Sequence, residues 1–424
     1  MTLFRRDVLR LSIGSLAGAL APRTSRAQPP SPADDVPAAI EALRTQTDGV
    51  SPITTDEHHA RIARAQALMR GEDLDAMVLA SGTGLEYFTG AEWGLSERFF
   101  GAVVTREGDP AWVTPAFEKG RALEQIQIGT DVRAWEEHES PFALVASILR
   151  DRRATGRVGI EETMPFTFAN EIGAALPSAR VVSATAVSAG CRVIKDAHEL
   201  ALMRRANEIT MRAHRAVFQS LREGMTQTQA STLSAEAHRR LGVKGGALVL
   251  FGPDAAYPHG TTRPRPLRRG EVVLIDGGGR LYGYASDITR TGVFGAPPTE
   301  RQRRVWEVVR RAQQAAFDAS RPGVEAQTVD AAARRVADEA GFGPDYRHFT
   351  HRVGHGIGMD GHEWTYFVRG NTTKLRPGMC FSDEPGIYIP GEMGIRHEDC
   401  IFITESGAES FTKWTGPPED PAVV

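Results

Sequence analysis

The feature that most constrains this chain is a series of acidic and histidine-bearing stretches in its C-terminal half. Each stretch lies beside glycine or proline, which is typical of strand ends and tight turns. One such stretch alone is weak evidence, because an aspartate after an apolar run is usually a turn or capping residue. The five stretches are YPHGTT (257–262), LIDGGGRLYGYASDITRT (274–291), THRVGHGIGMDGHE (350–363), FSDEPGIY (381–388) and GIRHEDCIF (394–402).

Asp276 and Asp287 flank a predicted strand reversal. Asp276 ends the apolar run VVLID, GGGRLYGY supplies the reversal, and SDITRT returns as a strand. The two aspartates then lie opposite each other on neighbouring antiparallel strands. Carboxylates held this close repel each other unless one is protonated or a cation lies between them. Two turn aspartates that cap loops are the alternative interpretation of this pair.

Glu384 and Glu398 add two further acids. Glu384 precedes the turn-rich PGIYIPGEMG, and Glu398 stands in the apolar strand IRHEDCIFIT. A charged residue in such a strand is costly to bury unless it is paired or bound to a metal. The neighbouring Asp383 and Asp399 must point to the opposite faces, and we predict that the glutamates are the inward acids.

His355 lies among glycines in VGHGIG, where the backbone can approach a bound group closely. Together with the four acids it forms an oxygen-rich donor set, which suits Mn²⁺, Mg²⁺ or Zn²⁺ rather than Cu⁺. Four carboxylates exceed what one divalent ion needs. The set therefore predicts two metal ions about 3.5–4 Å apart, bridged by carboxylates.

Three more histidines, His259, His351 and His362, flank the predicted ligands. They are candidates for binding a substrate carboxylate, stabilising an oxyanion or moving a proton. A structural hydrogen-bonding role is the alternative for each. The glycines at 356–361 match G-x-G-x-x-G, but the strand and helix that a dinucleotide site requires around this motif are missing.

Before residue 190, short apolar stretches alternate with helical segments, which predicts an α/β fold. A long helix then begins a second domain at about 193, with Asp196 as N-cap and Glu199 completing a capping box. We predict strands at 75–80, 99–104, 111–114, 157–160 and 180–183, and helices at 115–126, 140–152, 166–176, 196–223, 301–320 and 325–340.

The first 27 residues are predicted to be a Tat-type export signal. An arginine pair at 5–6 precedes an eleven-residue apolar run at 11–21, and small residues lead to a cleavage site after Ala27. An uncleaved basic amphipathic start is the alternative. Residues 28–55, rich in Pro, Ala, Ser and Thr, are predicted to be a loose mature N-terminus. We therefore expect a periplasmic or secreted protein.

Composition excludes several other classes of protein. A net charge of −3 leaves no basic footprint for nucleic acid, and three cysteines are too few for a disulfide scaffold. No later segment reaches 18 apolar residues, so we expect no membrane association after removal of the signal. A disulfide between Cys380 and Cys400 stays open, because the sequence cannot supply the Cα spacing.

These motifs resemble the pita-bread metallopeptidases that carry a creatinase-type N-terminal domain, specifically the Xaa-Pro aminopeptidase and prolidase branch. The resemblance covers roughly residues 56–420, with a creatinase-like domain over 56–192 and the catalytic domain over 193–424. By motif, the resemblance places the five metal ligands at Asp276, Asp287, His355, Glu384 and Glu398. It places the substrate-side histidines at His259, His351 and His362. A recurring basic position of the family, expected to bind substrate, matches Arg396.

The resemblance implies a hydrolase with two divalent metal ions, expected to be manganese, with zinc or cobalt as alternatives. Its substrate is a small peptide with proline in second place, cleaved between the N-terminal residue and that proline. Glu384 accepts a water proton and passes it to the leaving nitrogen, while His259 and His362 steady the tetrahedral intermediate. A homodimer is expected.

Three alternatives remain open on the same fold: a creatinase-like C–N hydrolase, a metal-dependent enzyme acting on another small non-peptide substrate, and a non-catalytic binding protein. The intact ligand set argues against the first and the last. Two departures from the family pattern are His397, where an apolar residue is usual, and Cys400 after Asp399. They leave the preferred metal open, because groups behind the ligands tune a metal site.

Overall fold

The computed structural model describes residues 36–263 and 265–423, and its elements fall into two successive sets. The N-terminal set comprises α1 (Ala38–Glu41), α2 (Thr55–Gly71), β1 (Ala76–Ala80), α3 (Thr83–Thr89), β2 (Gly101–Thr105), β3 (Ala111–Pro115), α4 (Lys119–Gln125), β4 (Val132–Trp135), α5 (Pro141–Asp151), β5 (Arg157–Ile160), α6 (Phe166–Ala175), β6 (Arg180–Ser183) and α7 (Thr185–Arg192).

Strands β1 to β6 form one mixed sheet in the order β4-β3-β2-β1-β5-β6. Its central strand β1 is buried along its whole length because helices cover both faces of the sheet. Met77 belongs to the core that contains Met69 of α2, whereas Val78 belongs to the core that contains Ile148 of α5. This double burial explains why the strands read as unbroken apolar runs.

The C-terminal set carries two sheets and a hairpin. Strands β10-β8-β7 form one sheet, with β9 on β8, and β12-β11-β13-β16-β17 form the other, while β14 pairs with β15. The set comprises α8 (Ala197–Ser220), α9 (Gln227–Arg240), β7 (Lys244–Phe251), β8 (Val272–Leu281), β9 (Tyr284–Ala285), β10 (Ile288–Val293), α10 (Glu300–Ala319), α11 (Ala326–Glu339), β11 (Gly354–Gly356), β12 (Glu363–Phe367), β13 (Cys380–Asp383), β14 (Gly386–Ile389), β15 (Met393–Arg396), β16 (Asp399–Ile403) and β17 (Ala408–Ser410).

An isolated antiparallel bridge between Thr289 and Glu398 joins the two C-terminal sheets. Each residue donates its backbone N–H to the other's carbonyl, at 3.3 and 3.2 Å. The fully buried Arg290 reinforces this bridge, because its Nη1 donates to both of those carbonyl oxygens, at 3.1 and 2.8 Å. Its Nη2 donates to Asp399 at 2.6 Å. The relative position of the two sheets is therefore fixed at this point.

A buried charge cluster joins the two sets of elements. Arg192, the last residue of α7, pairs through Nη2 with Asp360 at 2.5 Å and with Glu363 at 2.6 Å. Lys195 pairs with the other oxygen of Glu363 at 2.8 Å. Burial raises the pKa of Glu363, but Lys195 and Arg192 outweigh it and bring the pKa to about 2.

The predicted α/β architecture is confirmed, and the predicted strands and helices are present within a few residues of their expected ends. The capping box of α8 forms as predicted between Asp196 and Glu199. Sequence analysis missed several elements, among them α3, α7, α9, β4 and β7. Helix α3 contains aromatic and threonine residues that favour strands, and β4 is a short edge strand with little burial.

The export signal predicted over residues 1–27 lies outside the described residues. The loose mature N-terminus predicted over 28–55 stays a prediction; in its described part, residues 36–55, Ile40 is buried and the other side chains are exposed or partly exposed. Helix α1 buries Ile40 completely, and the backbone N–H of Gln46 donates to the carbonyl of Leu241 at 3.0 Å. Burial of the apolar Ile40 therefore holds α1 against the rest of the protein.

The three cysteines, at 191, 380 and 400, are free and buried. Cys380 and Cys400 lie on adjacent strands as expected. However, Cys380 pairs with Phe402 and Cys400 with Ser382, so the two cysteines are not opposite each other. The disulfide left open by the sequence is not formed.

Candidate metal centre

The predicted ligands come together from both C-terminal sheets. Asp276 lies within β8 and Asp287 immediately before β10, so these two acids belong to neighbouring antiparallel strands, as predicted. His355 lies in β11, Glu384 follows β13, and Glu398 precedes β16. Strand alternation sends Glu384 and Glu398 to the opposite side from their aspartate neighbours.

All five predicted ligands lie close enough to hold metal ions. In three overlapping groups, the donor atoms lie within 4.8 Å of one another. His355 Nε2 lies 3.3 Å from Glu384 Oε1 and 3.9 Å from Asp287 Oδ2. The groups are Asp276–Asp287–Glu398, His355–Glu384–Glu398 and Asp287–His355–His362.

The ring of His355 is held in an orientation suited to a metal ligand. Its Nδ1 lies 3.0 Å from the carbonyl of Gly356, so Nδ1 carries the hydrogen and Nε2 presents its lone pair to the carboxylates. Its backbone N–H donates to the hydroxyl of Ser382, which in turn donates to Glu384 at 3.2 Å. Ser382 therefore positions two ligands from one strand.

The acids cannot all be anionic without added positive charge. Burial raises the pKa of Asp287 and of Glu398 well above the usual range, and the surrounding carboxylates raise both further. Burial also raises the pKa of Glu384, to about 7. Burial opposes ionisation of Asp276 as well, but the Arg396 guanidinium and hydrogen bonds outweigh it and leave the pKa of Asp276 below its ordinary value.

Arg396, predicted to bind substrate, is buried and directed at protein atoms. Its Nη2 pairs with Asp276, and its Nε donates to the hydroxyl of Thr289 at 3.1 Å. Its Nη1 donates to the hydroxyl of Tyr388 at 2.8 Å and to the carbonyl of Pro258 at 3.3 Å. Four of the five guanidinium N–H groups thus have protein acceptors, so in this arrangement Arg396 orients the ligand Asp276, and its substrate-binding role stays a prediction.

His351 is a connecting residue behind Glu384. Its Nδ1 donates to the carbonyl of Arg352 at 2.7 Å, and its Nε2 accepts from the hydroxyl of Tyr388 at 2.7 Å. Burial and the nearby Arg396 charge lower the pKa of His351 to about 3, so the ring is neutral. It lies 3.9 Å from Glu384 and supports that side of the site.

His362 and His259 lie at the exposed side of the site. The ring of His362 stacks on that of His355, with centroids 3.7 Å apart and planes 19° apart. Burial lowers the pKa of His362, and the charges of Arg352 and His259 lower it further. Because this electrostatic effect falls off with distance, His259 lies near His362. Both histidines are exposed and make no side-chain hydrogen bond to the described part of the chain, so their ring nitrogens can face a bound molecule.

Sequence reasoning missed three polar residues that hold the ligands: Thr289, Tyr388 and Ser382. The hydroxyl of Thr289 lies 2.6 Å from both Asp276 and Glu398, which belong to different sheets. A signal for Thr289 was present, because it lies two residues after Asp287 and must share its strand face. Ser382, two residues before Glu384, carried the same signal, whereas Tyr388 carried none.

The donor set fits divalent metal ions. Four carboxylates and one imidazole nitrogen converge here. Among the described residues, Arg396 is the one arginine bonded to any of those carboxylates. The raised pKa values of Asp287 and Glu398 show that the pocket resists unbalanced negative charge. Oxygen donors with one imidazole suit hard or borderline divalent ions.

Known proteins match the whole of this architecture. A model of metallopeptidase family M24 matches residues 201–405, and one of the creatinase/prolidase N-terminal domain matches residues 61–194. The probable dipeptidase PepE of Mycobacterium tuberculosis is 38% identical over 356 residues, covering 82% of this chain and 93% of that protein. The chain belongs to metallopeptidase family M24.

Other members of family M24 agree with this assignment. The Xaa-Pro dipeptidase of Lactobacillus delbrueckii is 34% identical over 82% of this chain and 95% of that protein. The crystal structure of dipeptidase PepE from Mycobacterium ulcerans matches with a TM-score of 0.78 and 35% identity, over 86% of this chain and 97% of that one. The prolidase of Thermococcus sibiricus matches with a TM-score of 0.78 and 29% identity, over 86% and 98%. These matches confirm the predicted creatinase-like and pita-bread domains.

Proposed function

We propose that this protein is a two-metal dipeptidase that hydrolyses the bond between an N-terminal residue and proline. The observation that carries the proposal is the convergence of all five ligand side chains beside the accessible His362. M24 relatives named Xaa-Pro dipeptidase and prolidase support the substrate class. The intact ligand set favours an enzyme over a binding protein on the same fold.

When bound, two divalent ions supply polarisation of the scissile carbonyl and an activated water at neutral pH. Glu384 is placed for proton transfer, because its Oε1 accepts from Ser382 while its Oε2 accepts no hydrogen bond from the described part of the chain. Glu384 takes the water proton and delivers it to the proline nitrogen. That nitrogen has no hydrogen in the peptide and must gain one in order to leave.

His362 and His259 are placed to donate a hydrogen bond to the oxyanion of the tetrahedral intermediate. His362 is next to the ligand His355, and His259 is next to His362. Both rings are on the open side, which the scissile carbonyl must enter. His351 is bonded at both nitrogens and acts by supporting Glu384 and Tyr388 rather than by touching substrate.

Manganese is our proposal for the metal. The ligand set has eight carboxylate oxygens and one imidazole nitrogen, with no thiolate, which suits Mn²⁺ among the ions that this site can hold. Cys400 lies beside Asp287 but is turned to the backbone, with its thiol donating to the carbonyl of Asp287 at 3.1 Å. Activity and bound metal measured after loading with Mn²⁺, Zn²⁺ or Co²⁺ test this choice.

The test of function is release of proline from Leu-Pro by metal-loaded protein, with Leu-Gly and creatine as comparison substrates. We expect cleavage of Leu-Pro and at least about 100-fold less with Glu384→Gln, since loss of a general acid–base typically costs 10²–10⁴-fold. Glu405→Gln, an exposed residue with no ion pair among the described residues, is the control. Fully loaded protein that cleaves creatine but not Leu-Pro would overturn the proposal.

We also propose that the protein is exported and forms a homodimer. The twin-arginine start supports export, and no helix in the described ranges has the length and apolar character to cross a bilayer. Self-association would cover exposed apolar side chains of the N-terminal set such as Leu95, Phe117 and Leu123. Fractionation of cells and light scattering of the purified protein test the two points.

A further inference from the structure

The outer face of α8 borders a cavity that carries three arginines. The cavity has a volume of about 380 Å³ and lies between α1, α8 and Leu241, the residue that follows α9. Arg44 comes from the segment after α1, whereas Arg212 and Arg215 come from α8. Among the described residues, no acid lines the cavity. It is therefore a concentration of positive charge on a chain whose net charge is −3.

The two arginines of α8 have no protein partner. Both are exposed, and neither the Arg212 nor the Arg215 guanidinium makes an ion pair or hydrogen bond with any residue that the structure describes. Glu208 lies one turn before Arg212 on the same helix, but it pairs with Arg205 at 3.3 Å. Like charges three residues apart on a helix repel each other, so an anion bound between them stabilises both.

The third arginine is held in a fixed orientation. The Nη1 of Arg44 donates to the backbone carbonyls of Glu41 and Leu43, both at 2.8 Å. These two bonds leave its Nε and Nη2 without an acceptor in the described part of the chain. A planar guanidinium with free N–H groups forms parallel hydrogen bonds with the oxygens of a phosphate group.

The wall that carries Arg44 is fixed on the rest of the protein. Ile40 of α1 is fully buried, and the backbone N–H of Gln46 donates to the carbonyl of Leu241 at 3.0 Å. On the opposite side, Nη1 of Arg240 donates to the carbonyl of Glu41 at 3.3 Å. The position of Arg44 relative to α8 is therefore set by contacts on both sides of the cavity.

We propose that this cavity binds a phosphate monoester, with the phosphate held by Arg44, Arg212 and Arg215. A monoester carries a charge of about −1.5 to −2 near pH 7, which suits several cations without an acid better than a carboxylate does. The cavity has room for the organic part of the ligand beside small and apolar side chains. These are Ala39, Ala42, Leu43, Ala216 and Leu241.

The proposed site shares no residue with the metal centre, so the inference goes beyond the proposed peptidase function. Two sources supply the same chemistry: a soluble phosphate monoester and a lipid headgroup that ends in a phosphate.

The first experiment measures binding of glycerol 3-phosphate to the metal-loaded protein by titration calorimetry. The wild type should bind it with an affinity that falls as salt is added, because the contacts are charged. The double variant Arg212→Gln, Arg215→Gln should lose at least about 10-fold in affinity, since two charged hydrogen-bonding groups are removed. Binding at the metal ions contributes equally in both proteins, so their difference isolates the cavity.

The control is Arg311→Gln, which removes an exposed arginine of α10 with no ion pair among the described residues and should match the wild type. Cleavage of Leu-Pro should be the same in the double variant and the wild type. A parallel loss of that cleavage would assign the two arginines a structural role and overturn the inference.

Sedimentation with phosphatidylcholine vesicles, with and without phosphatidic acid, distinguishes the two sources. Sedimentation of the wild type, but not of the double variant, with the phosphatidic acid vesicles assigns a lipid headgroup. Binding of glycerol 3-phosphate without sedimentation assigns a soluble ligand. If the wild type binds both probes no better than the double variant does, the cavity is not a phosphate site.

Discussion

Thr289 and Glu398 are 109 residues apart in sequence, yet they form a backbone bridge and their side chains meet at 2.6 Å. The same Thr289 hydroxyl lies 2.6 Å from Asp276. One hydroxyl has one hydrogen, so without a metal ion it can donate to only one of these acids and accepts from the other when that acid is protonated. Thr289 thus sets the spacing between the two halves of the ligand set.

Replacing Thr289 should weaken metal binding. Thr289→Val keeps the shape but removes the hydroxyl, and we expect metal affinity to fall about 10- to 100-fold, as is typical for partners of ligands. Thr289→Ser should stay within a few-fold of the wild type. Calorimetric titration of the metal-free proteins with Mn²⁺ measures both. Equal affinities for the valine variant and the wild type would contradict this role.

Removing Asp287 should prevent the second metal ion from binding. Asp287 belongs to two of the three ligand groups, so Asp287→Ala should hold fewer than two ions per chain. We expect activity on Leu-Pro to fall at least about 100-fold, since ligand groups act as a unit. Elemental analysis after gel filtration gives the metal content. Two ions per chain in this variant would remove the two-metal arrangement.

The buried charge cluster at the joint between the domains should be sensitive to one neutral substitution. Glu363→Gln leaves Arg192 and Lys195 facing a neutral amide, and breaking a buried pair typically costs about 3–5 kcal/mol. The matched control is Glu236→Gln, whose partners Arg239 and Arg240 are on the surface, with an expected change of about 0–1 kcal/mol. Urea unfolding at pH 7 measures the free energy of unfolding. Similar losses in both variants would show that the buried cluster contributes no more than a surface pair.

Acid should destabilise the protein through His214. This histidine is fully buried, its Nε2 donates to the carbonyl of Ile288 at 2.8 Å, and burial lowers its pKa from 6.5 to about 3. The folded state therefore binds this proton less readily than the unfolded state. The contribution to the free energy of unfolding is fully present above about pH 6.5 and is lost progressively as the pH falls toward 3.

His214→Gln provides the measurement, because glutamine offers an N–H donor that does not titrate. Between pH 7 and pH 4.5, the wild type should lose more of its unfolding free energy than the variant does. Chemical denaturation of metal-free protein at a series of pH values gives the two curves. Curves that run parallel over this range would show that His214 does not contribute to acid sensitivity.

Local sequence signals predicted the α/β class, most of the elements and the five ligands. Asp196 and Glu199 cap α8 through contacts three residues apart, and alternation along a strand separates Glu398 from Asp399. Such relationships depend on backbone geometry that recurs in every helix and strand, so the chain order alone is enough to read them.

The tertiary structure decided how the site is held. Arg396 matched a substrate-binding position by motif, but folding brings it against Asp276, 120 residues away, and occupies it there. A residue's type and spacing fix what it can bond, whereas its actual partner depends on contacts between distant segments, and those form only when the sheets pack together.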